Sequence, residues 1–146
     1  MSTDEKVTKD LLETLEDGHD GYTKGAEKLD GLSQPSLVTT FREFADQRRR
    51  FADELQGMAK SYGDDPDRSG SVAASLHRGW LTLTDALSKD DAKAVLAVAQ
   101  QGDEHAVMEY EKALEEDISA GLREVVSRQL VEIRGAHATV QTLTPS

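Results

Sequence analysis

Glu16 and His19 stand three residues apart, the spacing that sets a carboxylate and an imidazole on one face of a helix. A dinuclear iron or manganese site inside a helical bundle takes such a Glu-x-x-His pair from each of two helices and a single Glu from each of the other two. The chain repeats only part of that set. Asp103, Glu104 and His105 are consecutive, and neighbouring helical residues diverge by about 100°, so they cannot all face one ion. Glu132 and His137 are five apart, with Arg134 where the carboxylate should stand. The remaining segment has no histidine and carries Asp46-Gln47-Arg48-Arg49-Arg50, and a guanidinium at that depth repels a divalent cation. The full dinuclear site is therefore not present. A reduced set of Glu16, His19, Glu104 and Glu132 is the metal reading that remains, with iron or manganese as its ion. The plainer reading makes Glu16 and His19 a surface pair.

A second constellation is a polar layer. Arg48, Gln129 and Asp103 or Glu104 fall at similar depth in three segments, and Asp17-Gly18 falls there in a fourth. Tyr22, Tyr110 and His137 complete the layer. A buried arginine is tolerable only when paired and hydrogen-bonded. Asp103 is the best-phased partner, since it shares a face with Ala99, Ala106 and Tyr110; Glu104 is second. Gly18 and Gly102 each cost about 1 kcal/mol against alanine in mid-helix, so they are expected to make room for Tyr22, Tyr110 or Arg48. The structural reading is a core network that fixes helix register, and it is favoured. The functional reading is a remnant or variant of a metal pocket.

Other chemistry finds no support. No cysteine and no Gly-x-Ser-x-Gly elbow is present. The four histidines (His19, His77, His105 and His137) lie on different segments, where a lone histidine is an ordinary surface or core residue. GSVAASLHRG (70–79) lacks the lysine and the preceding strand of a phosphate loop. Arg48, Arg49 and Arg50 occupy one helical turn and point in different directions, so they form no nucleic-acid patch.

The elements that must position these residues are helices. Leu37, Phe41, Phe44, Arg48, Phe51, Leu55, Met58 and Tyr62 recur at alternating spacings of four and three, the buried seam of a bundle helix. Comparable stripes run through Leu11/Leu12, Leu15, Gly18, Tyr22, Ala26 and Leu29, and through Leu122, Val126, Gln129, Ile133, Ala136, Val140 and Leu143. The predicted helices span about 4–29, 35–62, 72–87, 89–117 and 119–143. Asp30-Gly31 is the expected stop of the first, Ser88 with Asp91 the expected cap before the fourth segment, and Ser119 the cap of the last. Val72, Leu76, Trp80, Leu83 and Leu87 give the short 72–87 helix one apolar face, so Trp80 should dock on the bundle. Runs of β-branched residues with period two are absent, so no strands are expected. Each main helix is about 40 Å long at about 1.5 Å per residue. Two tight connections and one long one then predict an all-α, ferritin-like four-helix bundle, a single domain over 1–146 with a long crossover carrying a short extra helix. A plain up-down bundle with a decorated loop is the alternative.

Composition narrows the function classes. The chain has 146 residues, 37% hydrophobic and 31% charged, with a net charge of -11. That charge argues against nucleic acid and anionic membrane as partners and is compatible with a divalent metal or a basic protein. The missing cysteines exclude thiolate sites and fit a cytoplasmic protein. The N-terminus has no basic region followed by an apolar run, and no apolar stretch approaches membrane-spanning length.

The blocks DGHDGY (17–22), GSVAASLHRGW (70–80), GDEHAVMEY (102–110) and RQLVEIRGAH (128–137) resemble the bacterial domain-of-unknown-function family 2383, ferritin-like four-helix-bundle proteins. His77-Arg78-Gly79-Trp80 is the most specific part. The resemblance covers residues 5 to 143 and implies the bundle fold but no assigned activity. It marks Asp17, Gly18, Gly102, Asp103, Glu104, Gln129 and His137 as motif positions. Family members commonly read Gly-Glu-Asp where this chain has Gly102-Asp103-Glu104, which alters the reach of the acids. The resemblance also implies a link to oxidative or osmotic stress. The expected function is a non-enzymatic, stress-associated bundle that acts by self-association or through a protein partner. The alternative is a divergent ferritin-like iron or manganese protein handling oxygen or peroxide.

Overall fold

The computed structural model describes residues 3–63 and 79–143. Among them are five helices and no strand: α1 Thr3–Gly31, α2 Pro35–Ser61, α3 Leu83–Leu87, α4 Ala92–Glu115 and α5 Ala120–Leu143. Asp4 and Glu5 sit in the first turn of α1 and Lys28 in its last, each complementing the helix dipole. The helix runs through Gly31 and closes later than the expected Asp30-Gly31 stop. Gln34 N–H reaches back to the Leu29 carbonyl and Ser33 N–H to that of Asp30, both at 3.1 Å. This is a Schellman closure, and its left-handed residue is Ser33, with φ 59°. Pro35 then opens α2, where a missing N–H leaves no bond unmade. At its other end α2 stops at Ser61, so Tyr62, expected in the seam, is 63% exposed.

The ends of α4 fix the topology. Lys28, at the end of α1, meets Asp90 just before α4 at 2.8 Å. Asp4, at the start of α1, accepts from Ser119 N–H just after α4 at 2.9 Å. Helix α4 is therefore antiparallel to α1 and parallel to α2, so the chain between α2 and α4 must travel the length of the bundle. A plain up-down arrangement would give the opposite direction. The fold is the ferritin-like four-helix bundle with one long crossover.

The crossover departs from its predicted helix. Residues 72–78, with Val72, Leu76 and His77, lie outside the described residues. Of the rest only Leu83–Leu87 is helical. Gly79 takes φ 89°, and the Trp80 carbonyl accepts from Leu83 N–H at 3.1 Å. The turn aims the indole into the bundle, where Trp80 is 2% exposed, as the stripe predicts. A Cβ at Gly21 of α1 would lie 2.4 Å from the indole, and one at Gly102 of α4 2.2 Å from it. These two bare backbones form the notch. Gly102 thus serves Trp80, not the tyrosine or arginine expected.

Helix α4 begins at Ala92 rather than Lys89, because the cap is Asp91. Its side chain accepts from Lys93 N–H at 3.0 Å. Ser88, the expected cap, instead closes α3 with its hydroxyl on the Asp85 carbonyl at 2.6 Å. Ser119 caps α5 as predicted, accepting from Leu122 N–H at 3.4 Å.

The core falls into two apolar clusters. One gathers Leu11, Leu15, Phe51, Leu55, Tyr110, Val126 and Ile133. The other gathers Tyr22, Leu29, Phe41, Trp80, Leu96, Ala99 and Val140. The buried polar residues Asp17, Arg48, Asp103 and Gln129 belong to neither. No helix among the described residues is long and apolar enough to cross a membrane.

Candidate functional site

Arg48 sits near the middle of α2 and Asp103 near the middle of α4; their side chains are 1% and 0% exposed. Arg48 Nη2 lies 3.0 Å from Asp103 Oδ1. Neither atom completes a directed hydrogen bond, so the contact is an ion pair held by charge and packing. The other carboxylate oxygen, Oδ2, accepts from the Tyr22 hydroxyl at 2.5 Å. Arg48 Nε donates to Gln47 Oε1 at 3.0 Å, and its Cζ lies 5.4 Å from the Tyr22 ring centroid, within cation–π range. Helix α1 accommodates the side chain at Gly18, where a Cβ would come within 3.2 Å of Arg48 Cγ and Nη1. A guanidinium taken out of water is thus met by a carboxylate, an amide and a ring face, which is what burial of a charge requires.

The ionisation of these groups follows from the same contacts. Burial raises the Tyr22 hydroxyl well above its ordinary value, and the Asp103 charge raises it further. Burial alone would pull Arg48 down, but Asp103 and the neighbouring tyrosines hold it above its ordinary value. Tyr110 is likewise raised, first by burial, against the opposing charge of Arg48. Both tyrosines remain hydrogen-bond donors.

A second chain of bonds leads outward. Tyr110 O–H donates to Gln129 Oε1 at 2.7 Å. The Gln129 amide nitrogen donates to Glu54 Oε1 at 2.9 Å and to the Phe51 carbonyl at 3.3 Å. Arg128 donates to the other Glu54 oxygen at the surface. The hydrogen bond from Arg128 is the main reason Glu54 is held below its ordinary value. The fully buried Gln129 therefore has both N–H groups and its oxygen engaged.

The structure buries Arg48, Asp103, Tyr22, Tyr110 and Gln129 in the middle of the bundle, and Asp17 beside Gly18. Glu104 does not join them. It is exposed, because the residue after an inward Asp103 is rotated by about 100°. His137 is partly buried and no hydrogen bond of the layer reaches it among the described residues. Glu54 and Arg128 were missed; both are partly or largely exposed, and charged residues on an outer face carry no sequence signal. The one available clue was Gln129, a buried amide needing two acceptors.

The metal set is not brought together. Glu16 and His19 are partly buried on α1, while Glu104 and Glu132 are exposed on α4 and α5. His19 Nδ1 is bonded to the Ala45 carbonyl at 3.0 Å. Among the described residues no three His, Asp or Glu side chains converge as a metal site would need. Asp103 could bind a cation only by giving up Arg48 and Tyr22.

The family model "Domain of unknown function (DUF2383)" matches residues 5–116, and the chain belongs to that family. No curated protein matches it. Among solved structures it is similar to a Mycobacterium smegmatis Dps1 mutant, with a TM-score of 0.81 at 15% identity over 97% of this chain and 95% of that one. That likeness concerns the fold, and it supports the ferritin-like bundle.

Proposed function

We propose that this member of the family is a non-enzymatic, single-domain cytoplasmic bundle whose middle layer is structural, and that it acts by associating with itself or with a protein partner. One observation carries the reading: the Arg48–Asp103 pair occupies the middle of the bundle with both side chains shielded from water. A divalent cation there would face a fixed guanidinium across about 3–4 Å, and like charges at that range repel strongly in a low-dielectric interior. The layer's hydroxyls are donors kept protonated by burial, which suits register-fixing rather than proton transfer near neutral pH. A stress setting is the one the family resemblance suggests.

The competing reading is a divergent iron or manganese protein that handles oxygen or peroxide. Metal analysis of untagged protein, anaerobic iron(II) titration and light scattering separate the two. The proposal expects no stoichiometric iron, no absorbance change on readmitting oxygen, and a mass above the monomer or a captured partner. One iron per chain with an oxidation-linked band would overturn it.

A further inference from the structure

The groove between α1 and α2 encloses about 260 Å³ and is lined by His19, Thr23, Glu27, Arg42, Asp46 and Arg49 over a floor of Ala26 and Ala45. The two alanines are buried, and their small side chains leave the hollow. Arg42 and Arg49 are seven residues apart, so they sit on one face of α2 about 10 Å from each other along the axis. The chain has 28 acidic and 17 basic residues, and among the surface arginines Arg50 meets Asp46, Arg128 meets Glu54 and Arg134 meets Glu111, while Arg123 donates to the Leu114 and Glu116 carbonyls. Among the described residues Arg42 and Arg49 have no acid partner. Asp46 lies between them, but its Oδ2 accepts from Arg50 Nε at 2.9 Å, so its charge is shared away from the groove. Glu27 bridges neither arginine.

His19 adds direction. The Ala45 carbonyl can only accept, so the bond at 3.0 Å places the proton on His19 Nδ1. In that tautomer the lone pair is on Nε2. Thr23 has used its donor on the His19 carbonyl at 2.7 Å, so its hydroxyl oxygen can only accept further bonds. Two planar donor forks and two acceptors suit a ligand that is anionic yet carries a proton of its own. A hydrogen phosphate has that pattern, and guanidinium forks match its oxygens two at a time. The volume lies below the roughly 300–1,000 Å³ of drug-sized sites, so the ligand is small. We propose that this groove binds a compact phosphate-class oxyanion, held between Arg42 and Arg49 with His19 at its side.

The inference is independent of the reading of the core layer, because none of these residues belongs to it. Calorimetric titration of the full chain with pyrophosphate and with inorganic phosphate, at fixed ionic strength, tests it. A net charge of -11 works against adventitious anion binding. The expected result is saturable binding of one pyrophosphate per chain. R42Q and R49Q should each weaken it at least tenfold, and R42K should weaken it less. R134Q, which removes an arginine bridged to Glu111 on the other pair of helices, should leave it unchanged. Arg42 and Arg49 are exposed, so melting midpoints should match the parent and exclude misfolding as the cause. Absence of saturable binding would overturn the proposal. So would equal loss in R134Q, no loss in R42Q and R49Q, or succinate binding as tightly as pyrophosphate.

Discussion

Removing either partner of the Arg48–Asp103 pair should destabilise the bundle strongly, but not equally. Arg48→Met leaves a buried carboxylate that still accepts from Tyr22. The loss of one partner of a buried pair costs about 3–5 kcal/mol. Asp103→Leu leaves a buried guanidinium and also strands the Tyr22 hydroxyl, and an unsatisfied buried hydroxyl costs about 1–3 kcal/mol. Asp103→Leu should therefore be the worse single change by about that amount. Against a total stability of about 5–15 kcal/mol, either loss is large but measurable. The double variant Arg48→Met/Asp103→Leu removes both charges and should recover much of the loss, since apolar replacement of a buried pair is often neutral or stabilising. Adding Tyr22→Phe should recover the remaining hydroxyl cost. The assay is urea unfolding followed by circular dichroism and by the emission of Trp80, which packs on Tyr22 at 5.1 Å between centroids. Slopes must stay constant for the free energies to be comparable. A favourable coupling of several kcal/mol between Arg48 and Asp103 is the expected result. Additive losses, or no further recovery from Tyr22→Phe, would refute the layer as described.

Trp80→Ala should cost about 3–5 kcal/mol as a buried aromatic truncation, and emission of the native protein should be that of a shielded indole. Gly102→Ala should destabilise by about 1–3 kcal/mol through overpacking, despite alanine's better helix propensity, and should be nearly neutral in a Trp80→Ala background; thermal melts of the four proteins decide this. Glu54 is held below its ordinary value of 4.5, so its contribution is fully present above that pH and is lost as pH falls through its lower folded value. Glu54→Gln should flatten the acid limb of the stability profile below 4.5 and change little at neutral pH, as a urea series across pH would show. Ser33→Gly should be neutral to stabilising by up to about 1 kcal/mol, because a left-handed residue with a Cβ is strained; a lower unfolding midpoint would count against the Schellman closure.

The helices were legible because their seams are long and regular. Some twenty-six residues of four-three spacing, as from Leu37 to Tyr62, have one physical meaning, and the direction of α4 followed from a crossover too long for a hairpin. Helix ends were legible only where one residue type does one job. Ser119 was readable as a cap. Ser88 was not distinguishable from Asp91, since both can accept from a free N–H and only geometry decides. Gly31 looked like the stop because glycine takes left-handed conformations without strain, yet Ser33 adopts one under the demand of the turn into Pro35. The crossover misled for a related reason. Val72, Leu76, Trp80, Leu83 and Leu87 share a helical period, but Gly79 takes φ 89° and helix begins only at Leu83, which lets the indole enter the notch.

The polar layer shows where sequence reading reaches partners and where it stops. Arg48 and Asp103 were predicted to meet because each sits on an apolar face, where a charge has no water and must find its opposite. That constraint names a partner without coordinates. Glu54 and Arg128 satisfy the outward end of Gln129, and both keep enough solvent contact to stand alone. No desolvation penalty forces their pairing, so nothing in the sequence betrays it. The same difference in constraint assigns energies. The buried pair should dominate any perturbation of the layer, while the Arg128–Glu54 end should matter through the orientation it gives Gln129. That amide is the link between Tyr110 and the α2 backbone at Phe51. It ties α5 to α2 by side-chain bonds, and Asp103 ties α4 to α1 and α2 through Tyr22 and Arg48. These two bonded sets, about 10 Å apart along α4 at Asp103 and Tyr110, form a middle region that joins all four main helices. With apolar clusters above and below it, a helix could slide by a turn only by leaving a charge or an amide unpaired.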